Sequence, residues 1–118
     1  MKYSGSFYHD LEFGEEAEDW VKNLFDNKLK VEVKSDRLAH ITGRIYIEVY
    51  SRNKPSGIST TEADYWIYRI EARGTAIIIP VKRLRELVKL TFVLTNKLTK
   101  GGDNNTSKGV LLKLTELL

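Results

Sequence analysis

Cysteine is absent from this chain of 118 residues. Its absence excludes disulfides, thiol nucleophiles and cysteine-ligated zinc together, and leaves carboxylates and two histidines as the metal ligands on offer. Hard cations suit that inventory, magnesium first, with manganese able to substitute. Long apolar runs are missing too, since stretches such as Ala76 to Ile79 are far too short to cross a bilayer. Met1 to Tyr8 lacks the apolar centre of a signal peptide, so the expectation is a cytoplasmic protein with no membrane association. Neither sign of charge dominates: a net +3 with 30% charged residues permits a nucleic-acid partner without requiring one. The composition is otherwise globular, 42% hydrophobic, in a length that predicts a single domain over residues 1–118 with its own core.

Acids gather between Asp10 and Asp26, and bases from Lys28 to Lys54 and again from Lys82 to Lys108. A protein that collects cations in one place and grips phosphates around it has that asymmetry, and chance scatter in a short chain produces it as well. The spacing predicts a helix from Gly14 to about Phe25, with Ala17, Trp20, Val21, Leu24 and Phe25 on one face and Glu18 on its edge. Asp26-Asn27 predicts its stop. Leu29 to Lys34 then alternates as a strand, Leu29, Val31 and Val33 on a face suited to a core, Lys30, Glu32 and Lys34 on the other. Arg44 to Ser51 alternates equally well, with Ile45, Ile47 and Val49 opposite Tyr46, Glu48 and Tyr50.

Asn53 to Gly57 reads as a loop, and Ser59-Thr60-Thr61 as the cap of a helical turn. Two more strands, Asp64 to Ala72 and Thr75 to Pro80, are expected about the turn Arg73-Gly74; Tyr65, Trp66 and Tyr68 read as core more than as base-stacking residues. Pro80 opens a helix to about Leu90, its apolar residues opposite a solvated basic stripe of Lys82, Arg85 and Lys89. Phe92 to Leu98 and Gly109 to Leu114 flank a hairpin loop, and Val110-Leu111-Leu112 suits either a last core strand or a dimer contact. The whole predicts an α/β (α+β) fold, a central mixed sheet flanked by helices.

Glu32 and Lys34 set an acid and a base side by side on one strand face. Alone, Glu-x-Lys is also a common exposed charge pattern. Around it stand Glu18 on the helix, Asp26 upstream, Glu48 on the neighbouring strand, and the bases Arg37, Arg44, Arg52 and Lys54 with the Ser56-Gly57 loop, where a backbone without bulk can approach a phosphate. His40 is a candidate phosphate contact, and His9 is expected to fray with the N-terminus.

Gly14-Glu15-Glu16-Ala17-Glu18-Asp19-Trp20, Val31-Glu32-Val33-Lys34-Ser35-Asp36-Arg37, Tyr46-Ile47-Glu48-Val49, Lys54-Pro55-Ser56-Gly57-Ile58 and Thr61-Glu62-Ala63-Asp64-Tyr65-Trp66 cover most of residues 14 to 66. In these segments the chain resembles the PD-(D/E)XK nuclease superfamily, in particular small phage-encoded Holliday-junction resolvases. The resemblance implies a restriction-endonuclease-like core and a magnesium-dependent homodimer that nicks branched DNA symmetrically, in the host cytoplasm and with no small-molecule cofactor. It implies Asp26 and Glu32 as metal ligands with the Val33 carbonyl, Glu18 as a further ligand from the helix, and Lys34 beside the attacking water. Two features depart from the family. Phe25 stands where the motif has proline, and Asp26 lies close before Glu32, so Asp36 and Glu48 stay open as the second carboxylate. A nicking or flap nuclease, or a catalytically silent DNA-binding module, would use the same residues.

Overall fold

The computed structural model describes residues 5–118, and the side chains of all of these except 5–11, 13 and 103. The side chain of His9 therefore lies outside the described residues. The chain forms two compact units, Met1–Lys30 and Val31–Leu118.

The first unit holds one helix, α1 (Gly5–Phe25), which begins well before Gly14. A glycine weakens a helix interior by about 1 kcal/mol but does not end it. The stop falls where the sequence places it. Asn27 is left-handed at φ 59°, the Asp26 N–H donates to the Lys22 carbonyl at 2.8 Å, and the Lys28 N–H reaches back to the Asn23 carbonyl at 3.2 Å. The first is the last regular helical bond; the second is the long bond of a Schellman ending, and it satisfies a carbonyl that the last turn leaves open. Phe25 is 82% exposed, so it does not belong to a buried face.

In the second unit β1 (Val31–Asp36) leads through the short α2 (Ala39–Thr42) to the hairpin of β2 (Arg44–Ser51) and β3 (Lys54–Pro55). After a 3-10 turn at Gly57–Ser59 come β4 (Tyr65–Ile70), β5 (Thr75–Pro80), α3 (Val81–Thr95), β6 (Thr99–Gly101) and β7 (Ser107–Lys113). The expected mixed α+β class holds, with the strands divided between two hydrogen-bonded sheets. One is mixed, in the order β1-β4-β5, and the other antiparallel, in the order β3-β2-β7-β6. The β1–β4 pair is the parallel one. Between β1 and β2, α2 ends on Gly43 at φ 68°, which redirects the chain into the second sheet.

Alternation builds the core. Ile45 faces Leu112 and Ile47 faces Val110 across the β2–β7 ladder, and all four are buried with Trp66, Tyr68, Ile70 and Ile79 and with Leu84 and Val88 of α3. Val110 and Leu112 thus belong to a core strand. Phe92 to Thr95, expected as extended chain, continue α3. The aromatic and β-branched residues there favour a strand locally, but no glycine or proline interrupts the helix before Asn96. At φ 49°, with its N–H on the Phe92 carbonyl at 2.7 Å, Asn96 ends it. Among the described residues no helix is long and apolar enough to cross a membrane.

Candidate functional site

Strand β1 inverts the expected facing. It starts at Val31, and its parallel register sets Glu32 beside Trp66, Lys34 beside Tyr68 and Asp36 beside Ile70. Those three β4 residues are buried, so Glu32, Lys34 and Asp36 share the core-side face, while Val31 and Val33 are exposed. Pairing decides this, because paired residues on neighbouring strands point the same way and β4 has the stronger apolar set. As an edge strand, β1 lets its polar side chains reach water at the margin of the core.

Lys34 Nζ lies 3.3 Å from Glu32 Oε1 and 5.6 Å from the centre of the Trp66 ring. With both side chains partly exposed, the ion pair contributes at most about 1 kcal/mol, and its value is positional. The other Glu32 oxygen accepts from Thr61 Oγ1 at 2.6 Å. Asp36 is occupied differently: Oδ1 accepts the Leu38 and Ala39 N–H groups at 2.6 Å each and Oδ2 accepts from the Tyr68 hydroxyl at 3.2 Å. It caps the turn into α2. Glu48, half-buried on β2, accepts from Ser56 Oγ at 2.9 Å.

Among the described residues two tyrosines are shifted. Burial, then the Asp36 charge, push the Tyr68 phenol well above its ordinary value, although its hydroxyl also reaches the Tyr46 carbonyl. Burial likewise raises Tyr46, opposed by its bond to Ser107 and aided by the Glu48 charge. A raised phenol stabilises the fold fully below the unfolded value of about 10 and loses that contribution as pH climbs through the folded value. Tyr68→Phe is therefore expected to cost about 1 kcal/mol at neutral pH and to flatten the loss of stability above about pH 10. Urea midpoints measured from pH 7 to 11 check it.

The remaining expected site residues are spread out. Glu18 is exposed on α1, and Asp26 is exposed in the turn that ends it, both within the first unit. Val33 lies between Glu32 and Lys34 with its side chain on the opposite face. Arg37 is exposed and 3.6 Å from Glu71. Arg44 and Arg52 mark the two ends of β2, roughly 25 Å apart for a strand of that length, so the bases do not form one patch. Arg52 and Asn53 make the β2–β3 turn, both at positive φ, with Lys54 exposed after them. Gly57, at φ 56°, packs on Glu48: an added Cβ would lie 2.9 Å from the Glu48 Cβ. Its bareness serves that contact. The Nδ1 atom of His40 is buried without a partner among the described residues, not turned to solvent.

Among the described residues no three of His, Cys, Asp and Glu gather where they could hold a metal ion. Magnesium does not demand three, since it keeps waters and commonly takes one or two carboxylates plus substrate phosphate. The donor chemistry of Glu32 fits it on those terms. No family model, curated protein or solved structure matches the chain.

Sequence reasoning missed the roles of Thr61 and Arg85. Thr61 read as a cap, yet its hydroxyl holds Glu32. Arg85 read as part of a solvated stripe, yet it donates to the Ile58 and Thr61 carbonyls. No periodicity announces either, because both partners lie more than twenty residues away in the chain.

Proposed function

We propose that the protein is a metal-dependent, structure-selective DNA endonuclease, with the four-way junction as its substrate. The observation that carries this reading is the Glu32–Lys34 pair, 3.3 Å apart on an edge strand and fixed from the far side by Thr61. An edge strand leaves one side open to an extended phosphate backbone. Glu32 would hold magnesium or manganese, with Glu48 as a further candidate acid; a bound metal neutralises phosphate charge and activates water. Lys34 places a cation where negative charge grows as a phosphodiester bond breaks. Thr61 holds the Glu32 rotamer, so the carboxylate needs little reorganisation. A homodimer in the cytoplasm would match the twofold symmetry of a junction, each copy meeting an equivalent strand.

A second reading, a DNA-binding module without catalysis, is favoured by one observation: the carboxylates of Glu32, Asp36 and Glu48 are each engaged by protein donors. Labelled four-way junction, linear duplex, flap and single strand, each incubated with magnesium or with EDTA, separate the two. Paired symmetric cuts in the junction alone, lost in EDTA, are the expected result. Equal cutting of duplex or flap would remove the junction assignment, and binding without cutting would leave the silent module.

A further inference from the structure

The segment from Ser56 to Thr61 carries a hydroxyl to each of two acids. At its start Ser56 Oγ donates to Glu48 at 2.9 Å, and at its end Thr61 Oγ1 donates to Glu32 at 2.6 Å. Between them the chain turns tightly: the Ser59 N–H donates to the Ser56 carbonyl at 3.0 Å and the Thr61 N–H to the Gly57 carbonyl at 3.1 Å. Ile58 is buried, which anchors the middle of the turn in the core. The start is tied to β2, where the Ser56 N–H and Ser59 Oγ both donate to the Val49 carbonyl at 2.9 Å.

The far end is held by α3. Arg85 Nε donates to the Ile58 carbonyl at 3.0 Å and Nη2 to the Thr61 carbonyl at 2.8 Å. A guanidinium is a rigid planar fork, so one side chain that spans two carbonyls holds their separation as well as their position. The second of those carbonyls belongs to the residue whose hydroxyl holds Glu32. We propose that Arg85 is a positioning residue: it sets the Ser56–Thr61 segment so that its terminal hydroxyls aim Glu48 and Glu32 together. The functional meaning of that aim rests on the nuclease reading, whereas the aim itself is a property of the free protein.

The test uses the full chain without metal or DNA, with side-chain carboxyl carbons labelled in glutamate, so its outcome is independent of cleavage. In Arg85→Ala the Glu32 and Glu48 carboxyl resonances are expected to move together while Glu116 stays in place. Thr61→Val should move Glu32 alone and Ser56→Ala Glu48 alone. Amide exchange at Ser59, Thr60 and Thr61 should speed up roughly tenfold in Arg85→Ala, as two charge-assisted bonds are lost from a partly exposed site. Unmoved Glu32 and Glu48 resonances would overturn the proposal, as would an equal shift of Glu116. Should Arg85→Ala not fold, Arg85→Lys decides, since a shorter side chain ending in a freely rotating ammonium lacks the rigid fork that sets the separation of the two carbonyls: the same two resonances should move, and their constancy would refute it. If the wild type cuts junctions, Arg85→Ala is expected to lower the rate at saturating DNA about tenfold with DNA affinity within about twofold. A wild type that cuts nothing defeats the nuclease reading and leaves the resonance result standing.

Discussion

On the proposed nuclease reading, replacing Glu32 with glutamine is expected to lower magnesium-dependent junction cleavage at least about a thousandfold, and Lys34→Met about a hundredfold, with stability nearly unchanged in both. The two expectations separate because the pair contributes so little to the fold. Its partners are partly exposed on an edge strand, where an ion pair is worth at most about 1 kcal/mol. Glutamine keeps the volume and an acceptor for Thr61 Oγ1, so the 2.6 Å contact has a partner after substitution. What it loses is the negative charge with which Glu32 would hold a cation. Lys34→Met keeps an unbranched apolar stem and removes the ammonium that lies over Trp66. Single-turnover cleavage of a labelled junction, beside thermal unfolding of the same samples, checks both. Full activity in Glu32→Gln would remove Glu32 from the chemistry, while equal losses of activity and stability would mean that the pair is structural.

The largest effect on stability is expected at Gly109. This residue lies in β7, paired with Glu48 on one side and Thr99 on the other, so two ladders fix its backbone. A Cβ there would overlap the Ile47 carbonyl oxygen and lie 2.8 Å from Cζ of Tyr46. Tyr46 has no room to retreat, because its ring also covers Gly101 and its hydroxyl is 2.8 Å from Ser107 Oγ. Gly109→Ala must therefore break the β2–β7 ladder locally, and about 3 kcal/mol or more of destabilisation is expected. Urea unfolding of both proteins measures it. A loss below about 1 kcal/mol would show that the ladder adjusts at little cost. Adding Tyr46→Ser should recover only part of the loss, since the Ile47 carbonyl remains.

Much of the architecture is legible in the chain. Arg44–Ser51 and Thr75–Pro80 form strands with the expected bounds, as the alternation of Ile45 and Ile47 with Tyr46 and Glu48 and the Arg73-Gly74 turn require. The helix stop at Asp26-Asn27 was equally plain, because a left-handed asparagine and two backward bonds are local chemistry. The end of α3 was less so: Phe92 and Val93 favour a strand, and only the continuing helix geometry overrules them.

For the site, the sequence alone determined the Glu32–Lys34 partnership, since residues two apart on a strand share a face whatever the strand packs against. It also determined a ligand set of carboxylates and two histidines, without thiolates, through the absence of cysteine. Which face those residues occupy was decided by the parallel pairing with β4, whose buried Trp66, Tyr68 and Ile70 impose their parity on β1. Tertiary structure alone also brought Thr61 to Glu32, Ser56 to Glu48 and Arg85 to the turn between them. Hydrogen bonds between distant residues depend on where whole elements come to rest, and a local pattern of side chains carries no record of that distance.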